Sequence, residues 1–245
     1  MLRSALVETR RRPLLALMVK APRPGHAKTR LARSIGDEAA AGFWRACLTD
    51  CGGRMLQVAD ALGLQPALML AEEADREPLK DLLAPRWVRL VQSRPGLGHA
   101  LVEVFQAARA RRSGFALAVS ADNPALPGEL IEDAARSLAR GRAVLGPCPD
   151  GGYYLVGLRL AGLSNTRLDR ILERVFMTQP LQGVDVARAA AEALDANGLR
   201  TSWLKPWADV DTVEDLARLR DSLAVDPAQA PATSDWFNRS RGAPH

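Results

Sequence analysis

The chain carries short apolar runs that do not alternate with polar residues: Leu14 to Val19 (LLALMV), Pro66 to Leu70 (PALML) and Phe115 to Val119 (FALAV). A strand with one wet face alternates, so these runs predict strands covered on both faces. Helical patterns stand between them, over about Asp37 to Leu62, Glu72 to Lys80, Leu97 to Arg112 and Pro127 to Arg140, and a further strand is expected near Trp87 to Val91. Such alternation predicts an α/β fold, a Rossmann-like, mostly parallel sheet with helices on both faces. The second half reads as strands at Ala143 to Gly146, Tyr153 to Leu158 and Leu199 to Leu204. Helices are expected near Leu168 to Val175, Val184 to Asn197 and from Thr212 to about Leu223. No repeat and no linker divides residues 13–223, a single expected domain. Residues 1–12 and the Pro-, Ala- and Ser-rich stretch 224–245 are expected to be flexible termini.

In sheets of this kind ligands lie beyond the carboxyl ends of the strands. The first apolar run ends at Lys20, passes through a loop with Pro22, Pro24 and Gly25, and leads by Lys28, Thr29, Arg30 and Arg33 into a helix. Two of the four lysines (Lys20, Lys28, Lys80, Lys205) lie in this loop. Free backbone N–H groups and a helix start suit an anion such as phosphate. Lys28 is expected to be exposed in the ligand-free protein. A solvated basic loop would carry the same charges. The loop is not a P-loop, because Ala27 precedes Lys28 where that motif needs glycine.

A second strand end delivers Ser120-Ala121-Asp122-Asn123-Pro124. Asp122 either shapes a turn or binds a divalent cation, Mg²⁺ or Mn²⁺, that bridges to phosphate. Asp209 and Asp211 are the natural second carboxylate source. Asp211 or Thr212 is expected to cap the last helix, since Thr212-Val213-Glu214-Asp215 is a capping-box pattern, and one of the two Asp residues can cap while the other binds metal. Asp150-Gly151-Gly152 is a tight turn whose glycines also let the backbone approach a ligand. Tyr153 and Tyr154 face opposite sides of a strand, so at most one is expected to line a pocket.

With 33 basic and 28 acidic residues the net charge is only +5 and is spread along the chain, which does not call for a nucleic-acid partner. Cys47, Cys51 and Cys148 form no CxxC pair, and their use fits a reducing cytoplasm. Arg10, Arg11 and Arg12 before the first apolar run imitate a signal peptide but lack a cleavage site. No stretch approaches the roughly 18 apolar residues of a membrane span.

MVKAPRPGHAKTRL, VSADNPALP, LGPCPDGGYYLVGL and DVDTVEDL, in this order, resemble the bacterial DUF2064 family, often called arsenosugar-biosynthesis-type glycosyltransferases, within the nucleotide-diphospho-sugar transferase (GT-A) superfamily. The resemblance spans about residues 14–222 and implies a GT-A fold, a nucleotide or nucleotide-sugar in the cleft, a small-molecule acceptor and a divalent metal. It implies that Lys20, Lys28 and Arg30 hold phosphate and that Asp150, Gly151 and Gly152 form the family's DGGYY turn at the nucleotide; Pro24, Gly25, Gly96 and Gly98 are further nucleotide- or phosphate-binding candidates. Asp122 and Asp211 match acidic positions assigned to metal, and Asp150 is the catalytic candidate, positioning a sugar hydroxyl or serving as base. Two departures stand out. Ala121 and Asn123 flank a single Asp where many GT-A enzymes have Asp-x-Asp, and Pro95-Gly96-Leu97-Gly98-His99-Ala100 replaces an acidic residue followed by Leu-Gly-Glu-Arg.

The expected function is therefore metal-dependent glycosyl transfer from a nucleoside-diphosphate sugar, in a cytoplasmic protein compatible with homo-oligomerisation. The alternative is a nucleotidyltransferase that joins a nucleoside triphosphate to a phosphorylated or acidic metabolite and frees pyrophosphate. The Gly96-Leu97-Gly98 loop leans that way. A non-catalytic nucleotide-binding module is a third class, which metal-dependent turnover would exclude.

Overall fold

A computed structural model describes residues 12–240 except 81, 84, 142 and 179–184. In chain order it contains β1 (Leu14–Val19), α1 (Thr29–Ile35), α2 (Asp37–Leu62), β2 (Gln65–Leu70), α3 (Arg76–Lys80), β3 (Val88–Val91), α4 (Leu97–Ala110), β4 (Phe115–Ser120) and α5 (Gly128–Ala139). The second half contains β5 (Ala143–Pro147), β6 (Tyr153–Arg159), α6 (Asn165–Leu172), α7 (Val186–Ala196), β7 (Thr201–Trp203), α8 (Val213–Val225) and α9 (Pro231–Ser240).

The strands form one sheet in the order β3-β2-β1-β4-β6-β5-β7. β1 pairs in parallel with both β2 and β4, β2 with β3, and β5 with β7, whereas β6 runs antiparallel to β4 and β5. The expected mostly parallel sheet is therefore present. Its apolar runs have the predicted cause. Leu15 and Leu17 of β1 enter one buried cluster with Phe43, Met55 and Leu117, while Leu14 and Ala16 enter another with Val104, Phe105 and Phe176. Both faces are covered, so neither set of alternate residues can be polar.

Strand order reverses between β1 and β4, since the chain runs outward from β1 through β2 to β3 and returns to the other side of β1. This switch point opens a crevice at the strands' carboxyl ends. The β1–α1 loop and Asp122 both emerge there.

The carboxyl-terminal stretch departs from expectation. Residues 231–240, expected to be flexible, form α9 packed on α2. Trp236 meets Phe43 edge-on at 5.3 Å, and Phe237 joins the same aromatic group. Asp50, buried in α2, accepts hydrogen bonds at the start of α9 from Ala232 N (2.9 Å), Thr233 N (2.8 Å) and Thr233 Oγ1 (2.7 Å). A carboxylate in α2 thus caps a helix that local composition does not announce. The expected loose residues 1–11 and 241–245 lie outside the described residues. Among the described residues, no helix is long and apolar enough to cross a membrane.

Candidate functional site

The β1–α1 loop turns twice on itself, with Arg23 N donating to Ala21 O (2.9 Å) and His26 N to Arg23 O (3.1 Å). Gly25 (φ 71°) supplies the left-handed step that this needs. Lys28 is also left-handed (φ 54°, ψ 39°), an unusual conformation for a residue with a side chain, and it starts α1.

The Lys28 side chain is only 3% exposed, not exposed as expected. Its ammonium contacts Asp122 Oδ1, lies 3.1 Å from Asp211 Oδ1 and donates to Val210 O at 2.7 Å. It also lies 5.3 Å from the centre of the Trp44 ring. Burial alone would lower its pKa. The carboxylates of Asp122 and Asp211 outweigh that effect and hold it above the ordinary lysine value, so the group stays charged. The left-handed Lys28 backbone turns the side chain inward, where the two carboxylates and the Val210 carbonyl hold it.

The acidic wall is built from two segments tied together by Val210 N donating to Asp122 O (3.3 Å). Ser120 Oγ donates to Asp122 Oδ2 at 3.0 Å and fixes its rotamer. Asn123 Nδ2 donates to Asp209 Oδ1 at 2.7 Å. Burial first, and then the Asp122 charge, push the Asp209 carboxyl up to about 6. Thr212 and Asp215 form the capping box of α8, with Asp215 N donating to Thr212 Oγ1 (3.2 Å) and Thr212 N to Asp215 Oδ2 (2.8 Å). Because Thr212 caps, the Asp211 carboxylate is left to Lys28 and to Arg30, whose Nη1 is 3.9 Å away.

These groups border a cleft of about 700 Å³ at the switch point. Of the residues singled out from sequence, Lys20, Lys28, Arg30, Gly96, Asp122 and Asp211 line it together. Pro24, Gly25, Gly98, Asp150, Gly151 and Gly152 lie outside its lining. Asp150 Oδ1 accepts from Gly152 N (3.0 Å), which shapes its own turn, and Gly151 O accepts from Ala187 N at the start of α7. Both tyrosines border the cleft, where at most one was expected. Tyr154 donates to Lys205 O (3.0 Å), whereas the buried Tyr153 hydroxyl has no protein partner. Burial pushes both phenols up, so they remain neutral.

Sequence reading missed His26, Trp44, Glu72 and Gln92 in the lining. The available signal was positional: Glu72 and Gln92 closely follow the ends of β2 and β3, where ligands collect in such sheets. Trp44 carried no signal beyond an apolar helix position. Its Nε1 donates to Lys20 O (2.9 Å), bracing the loop from behind.

The fold is that of several solved nucleotide-handling proteins. A structure from Desulfovibrio desulfuricans G20, solved as a candidate nucleotide-diphospho-sugar transferase, is 26% identical, with 94% of this chain and 95% of that chain covered and a TM-score of 0.79. The 4-diphosphocytidyl-2C-methyl-D-erythritol synthase of Anaerococcus prevotii DSM 20548 shares the fold at 11% identity, covering 87% and 99%, with a TM-score of 0.55. CMP:2-keto-3-deoxy-manno-octonic acid synthetase, solved with CTP, shares it at 12% identity, covering 88% and 99%, with a TM-score of 0.52. The chain belongs to the DUF2064 family, described as an uncharacterized protein conserved in bacteria, whose model matches residues 54–179. Among curated proteins none matches.

Proposed function

We propose that the protein is a metal-dependent glycosyltransferase that uses a nucleoside-diphosphate sugar. The observation that carries the reading is the juxtaposition, in one switch-point cleft, of Lys20, Lys28 and Arg30 with the carboxylates of Asp122, Asp209 and Asp211. A diphosphate leaving group needs cations, and a dication beside it needs hard oxygen ligands. The likeness to the Desulfovibrio structure, extending over 94% of this chain, supports a sugar nucleotide as donor.

The residues fit a divalent metal. Asp122 Oδ1 and Asp211 Oδ1 converge on one point, now taken by the Lys28 ammonium, a stand-in for a cation. Asp209 lies beside this pair, its carboxyl raised first by burial and then by the Asp122 charge. Asp122 and Asp211 would hold Mg²⁺ or Mn²⁺, which on binding supplies charge neutralisation at the diphosphate. Lys20 and Arg30, both exposed, bind phosphate oxygens without first leaving a buried partner. Lys28 can turn to phosphate once its place between the carboxylates is filled.

Nucleotidyl transfer is the second reading. It draws on the glycine at the start of α4, where Gly96 adopts φ 118° beside the cleft and leaves open backbone for a base. A thermal-shift panel of nucleoside diphosphates, with and without Mn²⁺, tests the shared premise. Stabilisation by at least one diphosphate, larger with Mn²⁺, is expected. Indifference to every nucleotide would remove both readings.

A further inference from the structure

A second convergence of lone pairs stands at the mouth of the cleft. His26 and Glu72 line the cleft, and Asp75, in the 3₁₀ turn that follows β2, lies behind them. His26 Nε2 is 3.2 Å from Asp75 Oδ1 and 3.7 Å from Glu72 Oε1. One ligand atom from each of the three lies within 4.8 Å of the others. A tetrahedral zinc ion with bonds of about 2.0–2.2 Å has ligand-to-ligand edges of about 3.3–3.6 Å. The two His26 edges bracket that range.

The centre is held by a different cation. Arg23 Nη2 bonds Glu72 Oε1, donates to Asp75 Oδ1 at 3.0 Å and lies 3.1 Å from His26 Nε2. That nitrogen carries two hydrogens and faces two carboxylate oxygens and the imidazole nitrogen. Arginine only donates, so a hydrogen bond from Arg23 to His26 uses the tautomer with an unprotonated Nε2, which is also the metal-binding form. Asp75 is fully buried, and its second oxygen, Oδ2, has no hydrogen-bond partner. A buried carboxylate oxygen without a partner is costly, and the charge of a dication bound at Oδ1 offsets that cost. Arg23 Nε is likewise buried and unpartnered, while the side chain as a whole is 38% exposed and has room to swing outward.

We propose that His26, Glu72 and Asp75 form a binding site for a divalent transition metal, Zn²⁺ in the first place, which displaces the Arg23 guanidinium. The imidazole favours zinc over Mg²⁺ or Ca²⁺, which prefer oxygen alone. The site is separate from the Asp122–Asp211 pair and does not depend on the transfer reading. Filled, it fastens the phosphate loop (residues 20–28) to the segment that follows β2. It also leaves one coordination position for water or ligand and frees Arg23 to meet an anion. The three cysteines are buried and lie outside the site.

Cobalt(II) reports the site, because a tetrahedral Co²⁺ absorbs visible light strongly and thiolate ligation adds a separate near-ultraviolet band. Titration of nucleotide-free protein should give one visible-absorbing Co²⁺ per chain, without the thiolate band. Zn²⁺ should displace it and excess Mg²⁺ should not. His26→Gln should weaken binding at least tenfold, Arg23→Met should tighten it several-fold, and Asp122→Asn should leave it unchanged. The absence of such a species in both wild type and Arg23→Met, or binding indifferent to His26→Gln, would overturn the assignment. Binding in Arg23→Met no tighter than in wild type would overturn the displacement.

Discussion

Lys28→Met separates the two tasks that the structure gives this side chain. Methionine keeps most of the stem's volume against Trp44 but removes an ammonium that bonds Val210 O at 2.7 Å and pairs with Asp122 and Asp211. Breaking a fully buried ion pair costs about 3–5 kcal/mol. Here the orphaned carboxylates are 37% and 40% exposed, so water reaches them and the loss should be nearer 2 kcal/mol. For a chain of this size that lowers Tm by roughly 4–8 °C. Adding Mn²⁺ should then reverse the order of effects. The variant offers two unopposed carboxylates, so Mn²⁺ without nucleotide should stabilise it more than wild type, while nucleoside-diphosphate affinity drops about tenfold or more. Differential scanning fluorimetry with and without Mn²⁺, followed by calorimetry with a diphosphate, reads all three. Equal melting of variant and wild type, or stronger Mn²⁺ stabilisation of wild type, would refute the reasoning.

Asp122→Asn keeps an oxygen for the Ser120 hydroxyl but takes one carboxylate from the buried Lys28 ammonium, so ligand-free stability should fall by about 1–2 kcal/mol while Mn²⁺-dependent nucleotide stabilisation disappears in a thermal-shift assay. Asp209 has a folded-state pKa of about 6, above the ordinary Asp value of about 3.9, so the folded protein binds the extra proton between those values. Its contribution to stability is complete below about pH 4 and is lost as pH rises through about 6, a fall of up to about 3 kcal/mol. Urea melts should show Asp209→Asn flattening that fall. Asp50→Ala removes three hydrogen bonds at the start of α9 and should cost about 2 kcal/mol. Limited proteolysis should then release residues near 231–240, with nucleotide affinity unchanged.

The sheet was legible because its strands are buried on both faces, which leaves an apolar run whatever the tertiary detail. Lys28 and Asp122 were legible as strand-end residues for the same reason. Their mutual contact was not, since it depends on a left-handed Lys28 that turns the side chain inward rather than toward solvent. The choice between Asp211 and Thr212 as cap needed the actual Thr212–Asp215 bonds. Helix α9 was hidden because its partners, Phe43 and Asp50, precede it by more than 180 residues and its own composition is polar. The Arg23–His26–Glu72–Asp75 group was equally hidden, since its two halves follow neighbouring parallel strands and are brought together by strand pairing. Asp150 shows the opposite effect: a motif conspicuous in sequence lies outside the cleft and bonds within its own turn.

Phosphorus NMR of the purified protein incubated with Mn²⁺, a panel of sugar nucleotides and, separately, nucleoside triphosphates with phosphorylated metabolites tests glycosyl transfer most directly. Slow transfer to water makes an acceptor unnecessary. The account predicts nucleoside diphosphate from at least one sugar nucleotide, lost in Asp122→Asn. Pyrophosphate from a triphosphate mixture, with no diphosphate from any sugar nucleotide, would contradict it and establish nucleotidyl transfer instead.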